Sequence, residues 1–104
     1  MAKLTSIFWR DIPAQVIGQA GRTRFKRELP PRFAQAIDRA AMRAGRGSSD
    51  AYLADWRRES EEVEGDLEQL VAERAAALES LFPEDVLESV VKAGGRVERA
   101  GGVQ

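Results

Sequence analysis

The pattern of hydrophobic and polar positions in the first thirty residues is typical of short β-strands separated by turns. Residues 4–9 are rich in β-branched and aromatic side chains, and residues 14–19 form a second extended stretch, a composition that favours strands. Asp11 and Pro13 interrupt the pattern between the two stretches, as turn residues do. The sequence therefore predicts two strands joined by a tight turn.

A third strand is predicted after a second turn at residues 20–22. Side chains alternate along a strand, so one side of residues 23–29 carries Phe25, Arg27 and Leu29. The other side carries only charged residues, namely Arg24, Lys26 and Glu28. We expect this strand to have a strongly charged exposed face.

Helical periodicity begins at Pro31. Pro30-Pro31 ends the strand and suits the first turn of a helix, because the missing N–H of proline has no partner there to lose. Apolar residues then recur at helical spacing, at Phe33, Ile37, Ala41 and Ala44. This pattern predicts a helix over residues 31–44 that ends at Gly45.

The segment around Tyr52 is consistent with two structures. Tyr52, Ala54 and Trp56 fit a strand at a period of two, whereas Asp50 as N-cap fits a short helix containing Tyr52, Leu53 and Trp56. We favour the strand for residues 52–58. Its continuation, residues 59–64, is acidic and is expected to be exposed.

Two further helices are predicted in the last third of the chain. Asp66 and Gln69 have the chemistry of a capping box, and an apolar stripe follows from Leu67 to Phe82. A last helix is predicted over residues 84–92, ending at Gly94-Gly95. Its inward residues are expected to be Val86, Leu87, Val90 and Val91.

These elements predict an α+β fold, a small antiparallel sheet of three or four strands with helices packed on one face. The chain has 104 residues, of which 43% are hydrophobic and 32% charged, and this suits one folded core. We expect a single domain over residues 1–95 and a loosely ordered tail over residues 96–104.

The chain contains no cysteine and no histidine. This excludes disulfides, thiolate nucleophiles, imidazole catalysis and Cys or His metal ligands. The acidic residues lack the spacing of an EF-hand, and neither a nucleophile motif nor a glycine-rich phosphate loop is present. We therefore expect no cofactor and no metal.

Charge is divided unevenly along the chain. Residues 1–58 carry 12 basic against 5 acidic residues, and residues 59–104 carry 4 against 12. The pattern fits either a basic surface for an anionic partner or two complementary halves that face each other. The N-terminal residues lack the apolar region of a secretory signal, and no apolar run is long enough for a membrane span. We expect a cytoplasmic protein without membrane contact.

Two short segments combine tryptophan, arginine and aspartate: Trp9-Arg10-Asp11 and Asp55-Trp56-Arg57-Arg58. If both lie at strand ends on the same side of the sheet, the indoles form a platform and the guanidinium groups a fork for an anion or a flat ring. The alternative is structural, with each tryptophan in the core and each aspartate paired with an arginine. The candidate binding residues are Trp9, Arg10, Asp11, Gln15, Asp55, Trp56 and Arg57.

A weaker candidate is a nucleic-acid site on the third strand. The basic residues would contact phosphates and Phe25 would stack on a base. Phe25 is more simply interpreted as an inward strand residue, and the pI of about 5.5 argues against a dedicated nucleic-acid protein. The residues of this alternative are Arg22, Arg24, Lys26 and Arg27.

Three segments carry a family resemblance. They are residues 9–16 (WRDIPAQV), residues 29–42 around LPPRF and AIDRAAM, and residues 50–56 around DAYL and Trp56. Together they resemble the small bacterial proteins of the virulence factor family, over roughly residues 4–66. The resemblance implies no enzyme activity; it implies an accessory role in one-carbon or methyl-transfer metabolism.

The function predicted from all of this is a non-catalytic accessory or protein-interaction module. Its partner would be another protein, with the Trp-Arg segments and an exposed strand edge as the recognition surface. The alternative is a small enzyme subunit in which Arg10 and Arg57 hold an anionic substrate and Asp11 or Asp55 transfers a proton.

Overall fold

The computed structural model describes residues 2–97 and contains four strands and four helices in that range. The strands are β1 (Ala2–Trp9), β2 (Ile12–Ala20), β3 (Thr23–Glu28) and β4 (Trp56–Val63). The helices are α1 (Pro31–Arg43), α2 (Ser49–Ala54), α3 (Leu67–Leu81) and α4 (Glu84–Lys92). The predicted α+β fold is confirmed. The predicted loose tail lies outside the described residues from residue 98 onward.

The four strands form one antiparallel sheet in the order β3-β2-β1-β4, so β3 and β4 are its edges. Leu4 in β1 lies opposite Gly18 in β2 and Glu61 in β4. The β1–β2 register shifts between Ile7 and Phe8, where Ala14 is left without a partner. This bulge locally bends the end of the sheet that carries Trp9.

Helix α3 packs closely on one face of the sheet because β2 has a glycine beneath it. A Cβ at Gly18 would lie 2.6 Å from Val71 and 2.7 Å from Leu67, both on α3. On the opposite face Thr5 and Ser60 form a hydrogen bond of 2.9 Å. The register places Lys3, Gln19, Arg24, Lys26 and Arg58 on that same face, and all five are exposed.

Helices α1 and α4 run side by side in the same direction. Arg32 donates a hydrogen bond to the carbonyl of Phe82, just before α4, and Arg43 donates one to the carbonyl of Lys92 at its end. Between them Arg39 forms a bidentate pair with Glu88 at 3.0 and 2.6 Å. The core that these helices share with the sheet includes Trp9, Ile12, Val16, Phe33, Ile37, Leu87 and Val90.

The strand predicted over residues 52–58 is wrong for its first half. Residues up to Ala54 form α2, and β4 begins at Trp56. In α2 the Tyr52 N–H donates a helical hydrogen bond of 2.8 Å to the carbonyl of Ser48. Alternation over three residues is too short to distinguish a strand from one helical turn, and burial of the Tyr52 ring against Trp9 decides the outcome.

Two smaller expectations also need correction. Val86 was expected to point inward but is 37% exposed, unlike Leu87, Val90 and Val91. Asp66 does cap α3 by accepting a hydrogen bond from the Gln69 N–H at 3.3 Å. The Gln69 side chain donates to Glu73 one turn further on, so only half of the predicted capping box is formed.

Candidate functional site

The two Trp-Arg segments meet at one end of the sheet. Trp9 and Trp56 lie directly opposite each other on β1 and β4, and the ring of Tyr52 contacts both. Tyr52 stacks on Trp9 with ring centroids 5.9 Å apart and meets Trp56 edge-on at 5.8 Å. Both tryptophans therefore lie at strand ends, which was a condition of the binding hypothesis, but they differ in exposure.

Trp9 is fully buried, with 0% of its surface exposed. Its indole Nε1–H donates a hydrogen bond of 2.9 Å to the carbonyl of Tyr52. Gly95 covers the ring from the end of α4, at a φ of +95°, and a Cβ there would lie 2.8 Å from the indole. Trp9 therefore offers no surface to a ligand in this conformation, whereas Trp56 is half-buried.

The charged residues of the two segments pair crosswise. Arg10 Nε lies 3.1 Å from Asp55 Oδ2, and Arg57 Nη2 lies 3.5 Å from Asp11 Oδ1. Arg10 occupies the turn between β1 and β2 with a φ of +53°, a conformation unusual for a residue other than glycine. Its Nη1 donates to the carbonyl of Gly94 at 2.9 Å, which connects this turn to the end of α4.

Asp55 is the centre of this network. Arg46 Nε also binds Asp55 Oδ2, at 2.9 Å. Burial by itself would raise the pKa of Asp55, but hydrogen bonds and charge from Arg46 and Arg10 outweigh that effect and hold the pKa below its usual value. A carboxylate held in this way stays ionised at neutral pH and is well suited to holding the two arginines in place.

Asp11 and Arg57 connect the same turn to β4 and to the residues after α4. Asp11 accepts a hydrogen bond of 2.7 Å from Val97 N–H. Arg57 donates one of 2.8 Å to the carbonyl of Arg10, and its guanidinium lies 4.4 Å from the centre of the Phe8 ring. Arg57 remains 40% exposed, so part of its charge faces solvent.

Trp56 stands beside a depression whose polar groups are mainly acceptors. It has a volume of about 240 Å³ and lies between β2, α1 and α2. Its polar lining consists of Gln15, Glu28, Asp38 and Tyr52, and its apolar lining includes Leu29 and Ile37. We call this depression the acceptor pocket.

Two groups in the acceptor pocket lack a partner among the described residues. The Oε1 atom of Gln15 is buried and accepts no hydrogen bond from the described residues, and Asp38 forms no ion pair with any residue of the range 2–97. Burial, followed by the charge of Asp38, raises the pKa of the Tyr52 hydroxyl. The pocket therefore favours a positively charged or hydrogen-bond-donating group.

A second depression on the other side of Trp56 is basic. It has a volume of about 340 Å³ and is lined by Ile7, Gln15, Trp56, Arg57 and Arg58. Arg58 forms no ion pair with a described residue. We call this depression the arginine pocket, and its charge favours a carboxylate or another anion.

The residues of the nucleic-acid alternative all lie on or beside β3. Arg22, Arg24, Lys26 and Arg27 are exposed. Phe25 is half-buried and packs against the core, on the face of the sheet that α3 covers. Among the described residues of β3, the basic side chains therefore have no exposed aromatic ring beside them for base stacking.

The sequence reasoning missed several residues that form the two pockets. Asp38 lies on the polar side of α1, where its sequence neighbours are also polar, and Glu28 ends a charged strand. Neither position carries a local signal that separates it from solvated residues. Only the bend of the chain at Pro30 and the placement of α2 bring them near Trp56.

Between residues 2 and 97, no group of three or more carboxylates is arranged to hold a metal ion. No helix in the same range is long and apolar enough to span a membrane.

The fold and the closed ion-pair network define a small α+β domain with an aromatic site at one end of its sheet. A family model described as virulence factor matches residues 7–91, and the chain belongs to that family. The matched range includes α3 and α4, which complete the core beyond the residues that carried the resemblance. No curated protein and no solved structure matches the chain.

Proposed function

We propose that this chain is a non-catalytic protein-interaction module that acts as an accessory subunit in the cytoplasm. The observation that carries the proposal is the half-buried Trp56 between two pockets of unlike chemistry. Exposed aromatic and arginine side chains next to pockets are typical centres of binding energy at protein interfaces. The site residues retained from the sequence are Gln15, Trp56 and Arg57.

The partner that fits is a segment carrying a basic side chain next to an acidic one. A lysine or arginine would enter the acceptor pocket, where Asp38 supplies charge and the rings of Tyr52 and Trp56 supply cation–π attraction. The neighbouring carboxylate would face Arg57 and Arg58 in the arginine pocket. Trp56 would pack between the two side chains.

We do not extend the proposal to catalysis. The alternative of a small enzyme subunit assigned proton transfer to Asp11 or Asp55, but both are held by arginines. The pKa of Asp55 is lowered, and a carboxylate of low pKa is a poor general base near neutral pH. The role in one-carbon or methyl-transfer metabolism that the resemblance implies would be decided by the identity of the partner.

The test begins with capture of partners from native cytoplasm at low and high salt, with the tagged protein as bait. A retained protein is then purified, and its affinity is measured by calorimetry against the wild type, Asp38→Lys and Glu64→Lys. Asp38 lines the acceptor pocket. Glu64 is exposed, follows β4 and lies outside both pockets. Glu64→Lys therefore makes the same change of charge as Asp38→Lys, but away from the proposed site.

We expect Asp38→Lys to weaken binding by at least roughly tenfold, because it turns an attraction into a repulsion, and Glu64→Lys to leave it unchanged. The urea midpoint of each variant confirms that it is folded. Equal affinities for the wild type and Asp38→Lys would contradict the proposed surface, and so would equal losses in both variants.

A further inference from the structure

The two edges of the sheet carry opposite charge. The β3 edge and the turn before it present four basic residues, Arg22, Arg24, Lys26 and Arg27. The β4 edge presents three acidic residues, Glu59, Glu61 and Glu62, which follow two basic residues, Arg57 and Arg58. Both edges have backbone N–H and C=O groups that no other strand of the sheet binds. Proteins commonly place charge on such edges to prevent association.

Here the charge prevents only like edges from pairing. Two β3 edges would repel each other, and so would two β4 edges, whereas a β3 edge and a β4 edge attract. We propose that the free edge of β3 binds the free edge of β4 of a second copy of this chain, so that the sheet continues from one molecule into the next. This inference goes beyond the docking surface at Trp56 and does not depend on it.

Strand direction and hydrogen bonding permit this continuation. Neighbouring strands in the order β3-β2-β1-β4 are all antiparallel, so β4 of one copy is antiparallel to β3 of a second copy in the same orientation. Backbone groups alternate between the two sides of a strand. The sheet has an even number of strands. The backbone N–H and C=O groups of residues at the same level on β3 and β4 therefore either both point away from the sheet or both point into it.

The register of the existing ladder predicts which residues would meet. Arg24 is aligned with Gln19, Lys3 and finally Glu62 across the sheet. In the same way Arg27 is aligned with Glu59, and Glu28 with Arg58. A second copy added without an offset therefore places Arg24 opposite Glu62, Arg27 opposite Glu59, and Glu28 opposite Arg58.

The residues that would meet are largely free to do so. Arg24, Arg27, Arg58 and Glu62 form no ion pair with any residue in the described range. Glu59 is paired with Arg57 and Glu28 with Lys26, but these two glutamates are 60% and 70% exposed. Cross-strand pairs of opposite charge stabilise a sheet, and like charges directly opposite destabilise it. A contact between the β3 edge of one copy and the β4 edge of another joins two different surfaces. It therefore leads to rings or filaments rather than to closed symmetric dimers.

Other registers differ in their charge pairs. A slip of two residues in one direction puts Lys26 opposite Arg58, which is repulsive. A slip in the other direction puts Arg24 opposite Glu64 and Lys26 opposite Glu62, which is attractive. An exchange of charge at positions 24 and 62 separates this register from the one without an offset, because only the latter places these two positions opposite each other.

The test is a charge exchange followed by sedimentation velocity over a range of concentrations at low salt. The variants are Arg24→Glu, Glu62→Arg and the double variant R24E/E62R, with Lys92→Glu as the control. Lys92 is exposed and belongs to α4 and to neither edge strand, so its reversal changes net charge by the same amount as Arg24→Glu outside the ladder. None of these positions lines a pocket beside Trp56.

We expect the wild type to grow in mass with concentration and to become monomeric at high salt, because the charge pairs are exposed and screened. Each single variant should raise the concentration at half-association by roughly tenfold, and the double variant should restore it. Lys92→Glu should behave as the wild type. A wild type that stays monomeric at every concentration in low salt overturns the proposal, as does a double variant no better than the single variants.

Discussion

Trp9-Arg10-Asp11 and Asp55-Trp56-Arg57 contain the same three residue types, yet the fold uses them differently. Trp9 is fully buried and Arg10 is 15% exposed, whereas Trp56 is half-buried and Arg57 is 40% exposed. The first segment ends a central strand, which has a neighbour on each side, and the second begins an edge strand, which has one. Position in the sheet, rather than residue type, therefore separates the structural segment from the segment of the proposed docking surface.

The comparison predicts that removing Trp9 has the largest effect on stability. Trp9→Ala should lower the free energy of unfolding by about 3–5 kcal/mol, because it leaves a cavity in the core. Trp9→Phe should cost less, since it retains a ring against Tyr52 but loses the hydrogen bond of Nε1. Urea unfolding followed by circular dichroism measures both. A loss below about 1 kcal/mol for Trp9→Ala would mean that the ring is not a core element.

Asp55→Asn should have the next largest effect, and its size should depend on pH. At neutral pH we expect a loss of about 1–3 kcal/mol, because Arg10 and Arg46 lose their charged partner. The pKa of Asp55 is lowered in the folded state, so its stabilisation is complete above the unfolded pKa of about 3.9 and is lost as the pH falls through the folded pKa.

Urea unfolding at a series of pH values from neutral to acid checks this prediction. The difference between wild type and Asp55→Asn should shrink below about pH 4. Glu88→Gln is a useful control, because the hydrogen bond from Arg39 also lowers the pKa of Glu88 but the pair lies at the surface. A difference that stays constant over the whole range would show that the carboxylate charge is not what stabilises this end of the sheet.

The smallest effects on stability are expected at the second segment. Trp56→Ala should cost about 1–2 kcal/mol, in line with its partial burial, and Arg57→Ala less than about 1 kcal/mol, as for other exposed ion pairs. Both should reduce partner binding more than stability, if Trp56 is the centre of the docking surface. If Trp56→Ala unfolds the protein as strongly as Trp9→Ala, the contrast between the two segments is wrong.

Most of the elements were predictable because each leaves a local signal. Pro30-Pro31 marked the start of α1, Asp66 marked the cap of α3, and the last helix was predicted over the same residues that α4 occupies. The segment at Tyr52 was not predictable, since its structure depends on contacts with Trp9 and Trp56 rather than on its own pattern. Gly18 shows the same limit, because its role comes from the approach of α3.

The candidate site was less predictable than the fold. Gln15, Trp56 and Arg57 were named from the sequence, and all three line the arginine pocket. Asp38, Glu28 and Arg58 were not named as binding residues, because an exposed charge carries no signal of its neighbours in space. The pairing of Arg10 with Asp55 joins residues 45 positions apart, and no local pattern encodes it.

The sequence by itself determined the first three strands, the longer helices, the α+β class and the absence of Cys and His chemistry, because periodicity, caps and composition act over a few residues. Tertiary structure alone decided which tryptophan is buried, which carboxylates are held by arginines, and how the charges on the two edges align. Those properties depend on strand order and register, and strand order and register are set by the whole core rather than by any one segment.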